Sequence, residues 1–166
     1  MLCVAAVLAA ATVVHAALSV VLIFVLVPAA AIDLEYRRIP NLITGAGAVA
    51  ALAVGTALEP SGEPARLIAG AGAGGFLLLA ALLYPAGMGM GDVKLAAVMG
   101  LCLGVAVVPA MFIALVAGVA VGVVMMARGA SRKTAVPFGP FLALGGLVAI
   151  FAGPAIVHLY LGAIGA

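Results

Sequence analysis

Residues 95–127, LAAVMGLCLGVAVVPAMFIALVAGVAVGVVMMA, run without a charge, and how they divide decides the fold. A helix crosses the hydrocarbon of a bilayer in about 20 residues, so the stretch is too long for one ordinary span. Pro109 stands inside it, where a helix interior would lose a hydrogen bond and clash with the preceding turn. Divided at the proline, the stretch predicts two helices, at about 93–108 and about 110–127.

The other uncharged stretches are 1–32, 41–58, 67–91 and 134–166. They predict spans at about 8–32, 41–58, 67–84 and 139–161, six spans in all. The basic residues arbitrate. With both termini outside, the cytoplasmic connections hold Arg37, Arg38, Lys94, Arg128, Arg132 and Lys133, against Arg66 alone outside in a loop with Glu59 and Glu63. Basic residues accumulate on the cytoplasmic side of membrane proteins. A single helix over 95–127 would instead place three inside and four outside. Six spans fit better.

Composition gives the same solvent. The chain has 166 residues, 68% hydrophobic and 7% charged, with a mean hydropathy of +1.47. A water-soluble domain needs far more polar surface. Fold class is therefore all-α: a polytopic membrane bundle, with residues 1–166 forming one membrane-embedded domain and lipid as its surroundings. No nucleic-acid partner is expected. The N-terminal run lacks a basic start and exceeds the apolar core of a cleavable signal, so it is predicted to be a retained span. His15, inside that run, is expected to be a hydrogen-bonded packing residue rather than a proton carrier. Cys3 and Cys102 are isolated in apolar runs, so neither a disulfide framework nor a zinc site is indicated, and no cofactor or metal is expected. Gly70–Gly74, Gly100–Gly104 and Gly118–Gly122 have the spacing that lets helices approach closely in lipid, chiefly within the chain.

Two polar islands interrupt this pattern: IDLEYRRIPN, 32–41, with Asp33, and GMGMGDVKL, 87–95, with Asp92. Only five acidic residues occur in the chain, and ionisable groups near hydrocarbon are costly, so these two point to a functional site. The six-span arrangement puts both at the cytoplasmic face, although 59 positions separate them. Gly87, Gly89 and Gly91 free the backbone before Asp92 and let an extended peptide come close. Pro40 stops the first helix from continuing, and Asn41 is expected to cap the second. Each aspartate alone has a plainer explanation: a helix-end charge reaching for water at Asp33, a first-turn acid at Asp92.

Asp33 followed by Ile39-Pro40-Asn41, with Gly89-Met90-Gly91-Asp92 and Lys94, resembles the type IV prepilin peptidase family of membrane aspartyl proteases. The GxGD tetrad is shared with presenilin-like and signal-peptide-peptidase-like enzymes, whereas its combination with D-x5-I-P-N is specific. Pro137-Phe138-Gly139-Pro140-Phe141 resembles a third segment of the family. The resemblance covers about residues 20–145 and implies that Asp33 and Asp92 are the catalytic pair. Gly89, Gly91, Lys94, Pro40 and Asn41 would support them or bind substrate. Many bacterial members carry a cytoplasmic segment with paired cysteines, associated with N-methylation. No CxxC occurs here and the first cytoplasmic loop is under ten residues. The chain resembles the compact peptidase-only branch, as in tight-adherence pilus systems and archaeal preflagellin peptidases, without a methyltransferase segment.

Peptide hydrolysis by paired carboxylates needs one to accept a proton from water and the other to donate one. Two carboxylates sharing a site cannot both ionise cheaply, which separates their proton affinities. Asp33 ends a helix and Asp92 begins one, so helix-end fields make Asp92 the expected base and Asp33 the acid. Glu35, beside Arg37 and Arg38, is expected to be a solvated loop charge. The implied substrate is a prepilin-like protein with a short basic leader inside the cell and an apolar helix in the membrane, cut just after a leader glycine. The expected location is the cytoplasmic (inner) membrane, with pilus or secretion machinery as a further partner. Two other classes stay open: a non-catalytic subunit of a pilus or secretion assembly, and a proton-coupled transporter. A transporter more often carries its carboxylates at mid-membrane on broken helices.

Overall fold

The structure, a computed structural model, describes the backbone of residues 2–84, 88–129 and 137–163, with side chains over 12–152 of these and at Ile156. Among the described residues it is helical without strands: α1 Leu2–Tyr36, α2 Asn41–Leu58, α3 Glu63–Leu83, α4 Met90–Leu103, α5 Val107–Ala127 and α6 Gly139–Ala163. Short 3-10 turns at Pro60–Gly62 and Gly104–Ala106 join α2 to α3 and α4 to α5. Four segments are long and apolar enough to cross a membrane: Thr12–Tyr36, Asn41–Leu58, Pro60–Leu83 and Met90–Ala127. Gly139–Ala152 is a further, shorter apolar helical stretch.

The break in the long apolar run falls at Gly104 rather than at Pro109. Gly104 has φ 55° and ψ −134°, a backbone conformation that side-chain-bearing residues avoid. Pro109 instead sits in the first turn of α5, where its missing N–H leaves no helical bond unmade. The predicted fourth helix is correspondingly shorter. At 14 residues, α4 is about 21 Å long, less than the hydrocarbon of a bilayer.

Its surroundings account for that length. α4 packs against α1, α2, α3, α5 and α6, and Leu95, Ala96, Met99, Cys102 and Leu103 along it are buried. A helix enclosed by its neighbours need not match the thickness of the lipid.

Small residues set the spacing of the neighbours. A Cβ on Gly100 would stand 2.5 Å from the Gly70 backbone, and one on Gly74 would stand 3.0 Å from the Ala97 Cβ. These are the close helix contacts expected of small-residue spacing, made here within the chain. Gly104 and Gly122 make no such contact; Gly104 serves the chain reversal instead. On α6, Gly145 abuts the Ala110 carbonyl of α5 while Phe138 lies over Gly118, so α5 and α6 run antiparallel.

The α2–α3 turn differs from its expectation as a loop. Arg66 lies within α3 and is 8% exposed. Its guanidinium donates to Glu59 Oε2 at 2.8 Å and Glu63 Oε2 at 2.9 Å, and to the carbonyls of Glu59 at 2.6 Å and Gly55 at 3.2 Å. The two carbonyls belong to the C-terminal end of α2 and also accept the Glu59 and Gly62 N–H groups, so Arg66 reinforces a helix end as well as neutralising two acids. His15 is exposed on α1 rather than buried in packing, and Cys102 is buried and free. Gly87, Arg132, Lys133 and the side chain of Cys3 lie outside the described residues.

Candidate active site

Asp33 stands one turn before the end of α1. The helix stops where Arg37 takes a left-handed φ of 52°, while its N–H still donates to the Asp33 carbonyl at 2.9 Å. Pro40, extended at φ −63° and ψ 134°, then opens α2. A residue before proline avoids helical backbone, and Ile39 turns inward to 8% exposure. Asp33 itself is 5% exposed, so it does not reach for water as an isolated end charge would. Its Oδ2 accepts a hydrogen bond from the Gly139 N–H at the start of α6, at 2.8 Å.

Asp92 is the third residue of α4 and is 8% exposed. Its Oδ2 accepts the Gly89 N–H at 3.2 Å, and its own N–H donates to the Gly89 carbonyl at 3.1 Å. The first-turn acid expected from sequence is therefore present. The other carboxylate oxygen, Oδ1, is buried without a partner among the described residues. An orphaned buried oxygen is costly and marks a place where water or another ligand belongs.

Gly89 and Gly91 do not take the unusual backbone expected of them. Gly89 is extended at φ −86° and ψ 150°, open to any residue, and Gly91 lies inside the helix. What Gly91 supplies is proximity: a Cβ there would stand 2.9 Å from the Cβ of Ile39. The two polar islands meet at that point.

Helix register explains why two aspartates so distant in sequence share one end. Leu26 of α1, Met99 of α4 and Gly146 of α6 converge, a Cβ on Gly146 meeting Leu26 at 2.6 Å and Met99 at 3.2 Å. From that point each helix runs seven residues to the site: 26 to 33, 99 to 92, and 146 to 139. Seven residues are about two turns, or about 10 Å, in all three. Asp33, Asp92 and the Gly139 amide therefore arrive at one level.

Around this centre, Lys94 Nζ donates to Asn41 Oδ1 at 2.8 Å on the surface, joining the first turns of α4 and α2. Asn41 thus does not cap α2 as expected; Pro40 holds the cap position and no side chain completes it. Glu35 is exposed, as a solvated charge should be. Gly139 is the site residue that sequence does not mark by itself, although it lies in the family-like segment 137–141. The arrangement also alters the acid–base argument. Each carboxylate accepts one backbone N–H at a helix N-terminus, so the field of α1's end no longer distinguishes Asp33 from Asp92. Among the described residues, no group of three or more His, Cys, Asp or Glu could hold a metal.

A sequence model of the type IV leader peptidase family matches residues 20–126. The Legionella pneumophila prepilin leader peptidase/N-methyltransferase is 43% identical over 77 residues, 45% of this chain and 27% of that protein. The protein of that name from Burkholderia pseudomallei (strain 1026b) is 49% identical over 69 residues, 40% of this chain and 22% of its own length. The one from Bacillus subtilis (strain 168) is 33% identical over 147 residues, 86% of this chain and 58% of its own. The chain thus spans about a quarter to somewhat over half the length of these relatives. No solved structure matches.

Proposed function

The chain belongs to the type IV leader peptidase family, and from that we propose that it is an aspartyl endopeptidase that removes the short leader of prepilin-like proteins, with Asp33 and Asp92 as its catalytic pair. The observation that carries this is the convergence of two buried carboxylates at one end of the bundle, each held by a backbone amide, with Asp92 Oδ1 unpartnered among the described residues.

In the reaction, one carboxylate is ionised and takes a proton from water as the water oxygen attacks the scissile carbonyl carbon. The other is protonated and gives its proton to the carbonyl oxygen. Collapse of the tetrahedral intermediate breaks the C–N bond, and a carboxyl proton passes to the leaving amine. The pair shares one proton at the start, so the observed titrations belong to both. Burial keeps bulk water from competing for those protons.

The proposed setting is a six-span protein of the cytoplasmic membrane with this site at the inner face. Arg37, Arg38, Lys94 and Arg128 all adjoin helix ends on the side of the aspartates, which supports that orientation. The partner is a prepilin-like protein whose apolar helix lies in lipid and whose leader reaches the carboxylates, within a pilus or secretion system. Gly89, Gly91, Pro40, Asn41 and Lys94 would shape the site rather than take part in proton transfer. The α1–α2 connection is only Arg37–Pro40, and methyl transfer, which the relatives' names include, is not proposed for this chain.

Cleavage of a prepilin-like protein in detergent tests this reading. Asp33→Asn and Asp92→Asn should each lower the rate by at least about a thousandfold, since members of one catalytic device fail together. Glu35→Gln should be mild, with membrane levels matched. An Asp variant that cuts near normally would overturn the protease and bring the non-catalytic subunit forward. Proton-linked uptake in proteoliposomes without any cleavage would favour the transporter.

A further inference from the structure

We infer that Gly139 is a positioning residue for Asp33: its backbone amide and its missing side chain together fix the carboxylate in the place from which it reacts. The inference rests on the protease reading and adds α6 to the working parts of the site.

The first turn of α6 has few free donors. Pro140 has no N–H, and the N–H groups of Phe141 and Leu142 both turn back to the Phe138 carbonyl, at 3.0 and 3.1 Å. The Gly139 N–H goes instead to Asp33 Oδ2, in a buried hydrogen bond. Helix-start amides without an internal partner suit a carboxylate.

Any side chain at 139 would remove the room for this contact. A Cβ there would stand 2.8 Å from Oδ2, 3.0 Å from the Asp33 Cβ and 3.1 Å from its Cγ. Asp33 has a short stem and is 5% exposed, so it cannot swing aside cheaply. The turn itself is anchored from behind. The Phe138 ring lies over Gly118 of α5 and contacts the Phe141 ring, with centroids 6.2 Å apart. α6 therefore presents the amide from a fixed support.

Three variants in one cleavage assay test the assignment: Gly139→Ala, Gly122→Ala and Asp33→Asn. Gly139→Ala should lower kcat by about a hundredfold with KM unchanged, because a small misplacement of a reacting group is that costly. Gly122→Ala adds the same methyl group to α5 where no described atom lies within 4 Å, and should keep kcat. Normal kcat in Gly139→Ala beside an inactive Asp33→Asn would overturn the inference and leave the protease reading intact. An active Asp33→Asn would overturn both. A Gly139→Ala protein too unstable to assay is covered by melting temperatures in detergent. Replacing Asp33 by Ala removes the obstructing carboxylate, so Gly139→Ala should lower the melting temperature clearly less in that background than in the parent. Equal loss in both backgrounds would show that the two positions are not coupled and would also overturn the inference.

Discussion

Gly91 lies so close to Ile39 that a Cβ on the glycine would stand 2.9 Å from the isoleucine Cβ. With the Lys94–Asn41 hydrogen bond, this contact holds the segment of Asp33 against that of Asp92. Gly91→Val should therefore stay in the membrane yet cut at least about tenfold more slowly, since overpacking a fixed contact costs about 1–3 kcal/mol or displaces one side. Gly45→Ala is the control. Nothing lies within 4 Å of its added Cβ, and cleavage should be unchanged. Normal cleavage by Gly91→Val would show that the two segments need not touch.

The Lys94–Asn41 hydrogen bond is exposed and should contribute only about 0.5–1 kcal/mol to stability. Lys94→Ala and Asn41→Ala are each expected to slow cleavage a few-fold, and the double variant no more than the worse single one. Lys94→Gln keeps a donor without the charge. Recovery in that variant would assign the effect to the bridge, whereas continued loss would assign it to the ammonium.

Arg66 offers a contrast at the other end of α2. Its removal would leave Glu63, with a side chain only 14% exposed, without its cation, and would take one of two donors from each of the Gly55 and Glu59 carbonyls. Arg66→Met should cost about 3 kcal/mol and lower the melting temperature in detergent. Glu59→Gln should cost under about 1 kcal/mol, because the Glu59 side chain is 42% exposed. Below the melting transition both variants should cut normally, since α2 carries this cluster about 27 Å from Asn41.

Membrane orientation is open to direct measurement. With Cys3 and Cys102 replaced, single cysteines at Tyr36 and Arg128 should react with an impermeant reagent only from the cytoplasm, and one at Ser61 only from outside. Labelling at Arg128 from outside would break the six-span arrangement and the inner-face site that depends on it.

The helical architecture was legible because apolar runs in this chain are long and their interruptions few. Pro40 marked the start of α2 correctly, since proline disfavours helix in the residue before it. Pro109 misled for the same chemical reason read at the wrong place: in a first turn proline costs no hydrogen bond, and the reversal needed the left-handed backbone of Gly104. Asp33 and Asp92 stood out because charge is rare in such a chain. Their supports did not. The Gly139 amide carries no side-chain signature, the partner of Asn41 lies 53 positions away, and the tightness at Gly91 belongs to a contact between segments that sequence shows only as separate motifs.

The hydrogen bond from Gly139 to Asp33 joins residues 106 positions apart, and α6 leaves the ribosome after α1 through α5. A nascent chain that has inserted α1 through α4 already holds both aspartates, yet lacks the amide that fixes one of them. On the proposed reading, proteolytic competence is acquired only once α6 has emerged and the α5–α6 hairpin closes on α1. Until then a half-made enzyme shares the membrane with its substrates and leaves them uncut.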